Sequence, residues 1–204
     1  MHFEFLVEEP SIEAALNNML PYILPSSVTY AIRVFQGKQD LLKKLPVHLS
    51  GYKRWIPEDY RIVILVDRDN DDCLRLKRKL EEIALEAQFT TKSSVPRFDS
   101  FQVLNRIVIE ELESWFFGNR RAIKTAYPKI SNNFVNKPRI INPDDISDPW
   151  KKLEKVLQRY RYYPQGMPKI EVAQNISLHM DPERNCSPSF QVFRRGLDAI
   201  LLQG

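Results

Sequence analysis

The chain has 204 residues, 43% hydrophobic and 27% charged, with a formal net charge of +4. This composition excludes a wholly disordered chain, a collagen-like rod and a coiled-coil rod. Two cysteines exclude a disulfide scaffold and point to a reducing, cytoplasmic setting, while the mild positive charge permits nucleic-acid binding without requiring it.

Phe3 to Val7 reads as a first strand. Glu8 and Glu9 close it and no basic region precedes it, so it is not a signal peptide. No run reaches the roughly 18 apolar residues of a membrane span, so no membrane partner is expected. Pro10 and Ser11 open a helical pattern in Ile12, Ala15, Leu16, Met19 and Leu20, with Pro21 near its end. Val28 to Phe35 is a second strand, ended by Gly37. Leu41, Leu42, Leu45 and Leu49 mark a second helix, in which Pro46 is expected to kink or break the chain.

Arg61 to Asp67 is the clearest strand. Its consecutive apolar residues suit burial on both faces of a parallel sheet. An Asp-rich turn and a charged amphipathic helix over about 72–87 follow. Phe101 to Ile109 is a further strand, running into a helix that starts at Glu110. The alternation predicts an α/β fold with an open, mainly parallel sheet flanked by helices over residues 1–118. From 119 to 204 prolines such as Pro128, Pro138, Pro143, Pro149, Pro164 and Pro168 punctuate short helical pieces. We expect a helical C-terminal extension packed on the core as one structural unit.

Acidic groups recur at the carboxyl ends of the expected strands: Glu8 and Glu9, Asp67 and Asp69, then Glu110, Glu111 and Glu113. Open α/β sheets bind ligands beyond those ends. Converging carboxylates repel and need a cation, and oxygen ligands without His or Cys select Mg²⁺ or Mn²⁺. If the backbone is extended, Asp67 and Asp69 project to one side. In a helix, Glu110 and Glu113 share a face that Glu111 does not. Asp71 and Asp72 read as helix caps, and Glu111 as a residue compensating a helix dipole.

Lys38, after Gly37, is placed to reach a phosphate, although no Walker-type loop is present; a turn with a surface lysine is the simpler account. Lys151, Lys152, Lys155 and Arg159 interleave with aromatic residues, a mixture that suits nucleic-acid backbones. Ser187 or Ser189 is expected to cap the last helix, and a phosphate at that helix start is the alternative.

The Glu after the first strand, the Asp-x-Asp after a central strand and the later acidic cluster resemble the Toprim fold. That is the metal-binding domain of topoisomerases, primases and overcoming-lysogenization-defect nucleases. More closely, the chain resembles an uncharacterised bacterial Toprim-like family often encoded beside ABC-type ATPases. The matching stretches are Leu6 to Ser11, Gly37 to Leu42, Val66 to Cys73, Glu110 to Phe116 and Asn185 to Phe190. The resemblance puts the Toprim glutamate on Glu8, the Asp-x-Asp on Asp67 and Asp69, and a Glu two before a Trp on Glu113. It implies a Mg²⁺- or Mn²⁺-dependent nuclease in a bacterial defence system. Glu8, Asp67 and Asp69 would be its catalytic carboxylates, and Glu110 or Glu113 would complete the metal shell. It also implies an ABC-type ATPase as partner, and a homo-oligomer is compatible with it. Two other readings stay open: a non-catalytic regulatory or binding subunit of such an ATPase, and a receiver-like phosphoacceptor.

Overall fold

The computed structural model describes residues 1–96, 100–136 and 142–203. Among these, four strands and nine α-helices follow in the order β1 (His2–Val7), α1 (Pro10–Ile23), β2 (Thr29–Val34), α2 (Lys38–Lys53), β3 (Tyr60–Asp67), α3 (Cys73–Glu86), β4 (Val103–Val108), α4 (Glu113–Gly118), α5 (Arg120–Ala126), α6 (Asn132–Asn136), α7 (Pro149–Arg159), α8 (Lys169–Ser177) and α9 (Pro188–Leu201). Pro138 lies outside the described residues. No helix among them is long and apolar enough to cross a membrane.

The fold is α/β. The four strands form an open, all-parallel sheet in the order β2-β1-β3-β4. β1 pairs with β2 in the register Val7 to Val34, and with β3 in the register Val7 to Leu65. Two units make up the chain, each from non-contiguous segments: Met1–Pro10, Pro25–Ile107 and Val192–Gly204 form the first, Ser11–Leu24 and Val108–Gln191 the second. Residues 119–204, expected as one extension, are thus shared between both units.

In the first unit, alternation along the strands builds two buried faces. Leu6, Ile62, Ile64 and Val66 pack with Leu41, Leu45 and Leu49 of α2 and Leu76, Leu80 and Ile83 of α3. Phe3, Phe5, Val7, Val63 and Leu65, at the alternate positions, are also fully buried.

Neither Pro21 nor Pro46 breaks its helix; of the kink or break expected at Pro46, the break does not occur. An interior proline costs about 3 kcal/mol through its lost N–H and its clash with the preceding turn. In α2 the ring sits on the exposed face, while Leu41, Leu42, Leu45, Leu49 and Tyr52 stay buried on the other. Burial of those five side chains, at about 1.5–3 kcal/mol each, outweighs the proline.

The second unit is helical. Trp115 and Phe116 of α4, Ile123 of α5, Leu153 and Leu157 of α7 and Ile176 of α8 are fully buried. Asn18 of α1 donates to the Gln174 carbonyl and to Ser177 Oγ, both at 2.9 Å.

Candidate active site at the carboxyl edge of the sheet

The strand order creates a switch point. β1 is followed in the chain by β2, its neighbour on one side. β3 is followed by β4, on the other side. The carboxyl ends of β1 and β3 therefore lie side by side where the onward connections diverge, the position at which open α/β sheets bind ligands.

Glu8 follows β1 and Asp67 ends β3. Each is only 4% exposed. The backbone N–H of Asp67 donates to Glu8 Oε1 at 2.9 Å. Glu8 Oε2 is buried and accepts no hydrogen bond among the described residues. Desolvation by this burial is the main force on the Glu8 carboxyl. Asp69 and Glu9 add to it, the Asp67 N–H and Lys38 oppose it, and the pKa is pushed up to about 7.

Gly37 brings the β2–α2 connection onto this edge. Its N–H donates to the Glu8 carbonyl at 2.7 Å, and its φ of 92° with ψ of 168° is a conformation reserved for glycine. The next residue is Lys38, whose side chain is 9% exposed. Lys38 Nζ lies 3.0 Å from the Asp67 carbonyl, 2.9 Å from that of Arg68, and 2.7 Å from both Asp69 Oδ2 and Asp71 Oδ2. Burial works against its charge, but the hydrogen bonds to Asp69 and Asp71 outweigh that and raise its pKa.

The loop after Asp67 is not extended. Asp69 has a φ of +49°, a left-handed conformation that Asp tolerates better than most residues. This replaces the expected i, i+2 projection with a turn that delivers the Asp69 carboxylate to Lys38. Asp72 caps α3, accepting from the Arg75 N–H at 2.7 Å, as its position implied. Asp71 is not a cap but the second ion-pair partner of Lys38.

The remaining acids belong to the second unit. α4 begins at Glu113, so Glu110 and Glu111 precede the helix expected to carry them. Glu110 accepts from the Asp148 N–H at 3.2 Å and Glu111 from the Trp150 N–H at 2.9 Å. Both thereby meet the free amides that open α7. Glu113 lies in the first turn of α4 and is 4% exposed. Lys151, Lys152, Lys155 and Arg159 lie on the exposed side of α7, and Lys151 pairs with Asp148 at 3.1 Å.

Ser187 caps α9, its Oγ accepting from the Phe190 N–H at 3.2 Å. The anion at that helix start is the chain's own. Asp144 accepts from Ser187 Oγ at 2.6 Å and from the Ser189 N–H at 2.7 Å. Ser189 Oγ in turn accepts from Trp115 Nε1 at 2.9 Å. Asp144 drew no attention in the sequence because it lies over forty residues from the serines that it binds.

Among the described residues, no three His, Cys, Asp or Glu side chains are gathered as a ready cation cage. The residues at the switch point fit a partial shell. Magnesium uses one or two protein carboxylates and completes its octahedron with water and phosphate oxygens. Glu8 Oε2, with no hydrogen bond of its own, and the buried Asp67 supply that kind of donor set.

A search of curated proteins and of solved structures finds no match to the chain. One family model matches residues 7–198, and the chain belongs to that family, the domain of unknown function DUF4276.

Proposed function

We propose that this member of the DUF4276 family is a Toprim-related, divalent-metal-dependent nuclease acting in bacterial defence. One observation carries the reading: a deeply buried glutamate with an unsatisfied oxygen, beside a buried aspartate, at the switch point of a parallel sheet. An unpaired buried carboxylate oxygen is costly, and a bound cation removes that cost.

Glu8, Asp67 and Asp69 are the residues that would hold Mg²⁺ or Mn²⁺. The metal, when bound, supplies Lewis-acid stabilisation of the phosphoryl charge and a more acidic water. Hydrolysis forms a bond from the water oxygen to phosphorus and breaks the ester P–O bond; the attacking water gives up a proton and the departing oxygen takes one from solvent. In this reading Glu8 is the carboxylate that takes up the water's proton; its pKa of about 7 describes the cation-free site, and a bound metal would lower it. Lys38 holds the Asp67–Asp71 loop in place and pairs with two of its carboxylates, leaving the trio with one net negative charge. Exchange of Asp69 between Lys38 and a metal is part of this reading.

A second reading draws on the same lysine. Lys38 already forms ion pairs with Asp69 and Asp71, so these acids can serve structure alone in a non-catalytic subunit of an ABC-type ATPase. The test is cleavage of single- and double-stranded DNA and of RNA with Mg²⁺ or Mn²⁺, wild type beside Asp67→Asn. Cutting that the substitution abolishes supports the nuclease. No cutting by wild type, alone or with an ABC-type ATPase, supports the subunit.

A further inference from the structure

The Asp71 end of the site opens into a groove of about 720 Å³ lined by Gln39 and Leu42 of α2, the Asn70–Asp72 loop, and Arg75, Arg78 and Lys79 of α3. Residues 75, 78 and 79 are spaced to share one face of a helix, and all three are exposed. Among the described residues none of the three cations pairs with a carboxylate. Of the acids in the groove, Asp71 is held by Lys38, Asp72 caps α3, and Glu82 shares the face of Arg78 and Lys79 without an ion pair to either among the described residues.

The groove is therefore a row of uncommitted cations that starts where Lys38 meets Asp71. In the sequence this stretch reads only as a charged amphipathic helix. We infer that this groove carries the nucleic-acid backbone next to the scissile phosphate, with Arg75, Arg78 and Lys79 each contacting a phosphate. The inference rests on the nuclease reading and names where its substrate lies. Two features favour a polyanionic strand: the unpaired cations complement its charge, and the groove ends at Asp71, which shares Lys38 with the candidate metal ligand Asp69. Guanidinium groups suit phosphate because their donors match its oxygens in pairs.

The experiment is fluorescence anisotropy of short labelled single- and double-stranded oligonucleotides with the full chain in EDTA, over a series of salt concentrations. Each phosphate contact contributes about 0.7–0.9 to the slope of log affinity against log salt. The triple variant Arg75→Ala, Arg78→Ala, Lys79→Ala should bind at least about tenfold more weakly, with a slope lower by about 2 to 3. Arg75→Lys with Arg78→Lys keeps the charge and should retain most of the slope. Thermal melting of both variants checks that the fold is intact.

Equal affinity and equal slope for wild type and the triple variant overturn the inference. So does a wild type that binds an acidic polypeptide and no oligonucleotide. The two proposals fail separately. Oligonucleotide cleavage with unaltered binding by the triple variant removes the groove alone. Groove-dependent binding without cleavage under any metal removes hydrolysis alone.

Discussion

The backbone N–H of Asp67 donates to Glu8 Oε1 at 2.9 Å, tying the end of β3 to the end of β1 and leaving Glu8 Oε2 buried without a hydrogen bond. One oxygen thus organises the edge of the sheet and the other is available. Because burial lifts the Glu8 pKa from 4.5 to about 7, the native state retains a proton that the unfolded chain releases across that window. Stability therefore falls as pH rises from about 4.5 to 7. Glu8→Gln removes this titration. Relative to wild type, the variant should gain up to about 3 kcal/mol between pH 4 and pH 8, read from urea denaturation at each pH. A difference between the proteins that does not change with pH would contradict the buried, proton-holding Glu8.

Lys38 is the second fixed point. Its ammonium is shared by two carbonyls and two carboxylates of the Asp67–Asp71 loop. Lys38→Met leaves those groups without their cation and should destabilise the fold by about 1–3 kcal/mol, partly offset because Asp69 and Asp71 reach solvent. Lys38→Arg should not restore the loss, since a planar guanidinium cannot replace a compact ammonium among four converging oxygens. Denaturant midpoints of the three proteins decide this, and a Lys38→Met midpoint equal to wild type would show the loop to be held by other contacts.

The sheet was legible in the sequence because its strands are short apolar runs closed by charge or glycine, and Arg61–Asp67 is buried along its length. Glu8 and Asp67 were legible for the same reason: each is the first acid after such a run. The geometry between them was not. The left-handed Asp69 and the pairing of Asp71 with Lys38 depend on α2 and the β3–α3 loop meeting across thirty residues of chain. Pro46 does not end α2 because propensity describes an isolated helix, whereas α2 is held by its buried leucines. Glu110 and Glu111 looked like the first residues of a helix, yet they bind the amides that open a different one, α7.

The network around α9's first turn gives a stability prediction independent of the candidate site. Asp144 receives Ser187 Oγ and the Ser189 N–H in a buried setting. Asp144→Ala strands these donors and removes the negative charge at a helix start. It should cost about 2–4 kcal/mol. Gly118→Ala should be at least as damaging, because a Cβ there would lie 2.1 Å from Asn185 Oδ1 and 2.9 Å from the Ser187 nitrogen. Thermal melting measures both. A melting temperature near that of wild type for Asp144→Ala would mean that water replaces the carboxylate.

The central claim is that the Glu8–Asp67 edge hydrolyses phosphodiesters with a divalent cation. The most direct measurement is oligonucleotide cleavage by wild type, Glu8→Gln and Asp67→Asn, each checked for native circular dichroism, with Mg²⁺, Mn²⁺ and EDTA. The expected result is metal-dependent cutting by wild type that falls at least about a hundredfold in both folded variants. Equal cutting by all three, or none by wild type with either metal, would contradict the claim.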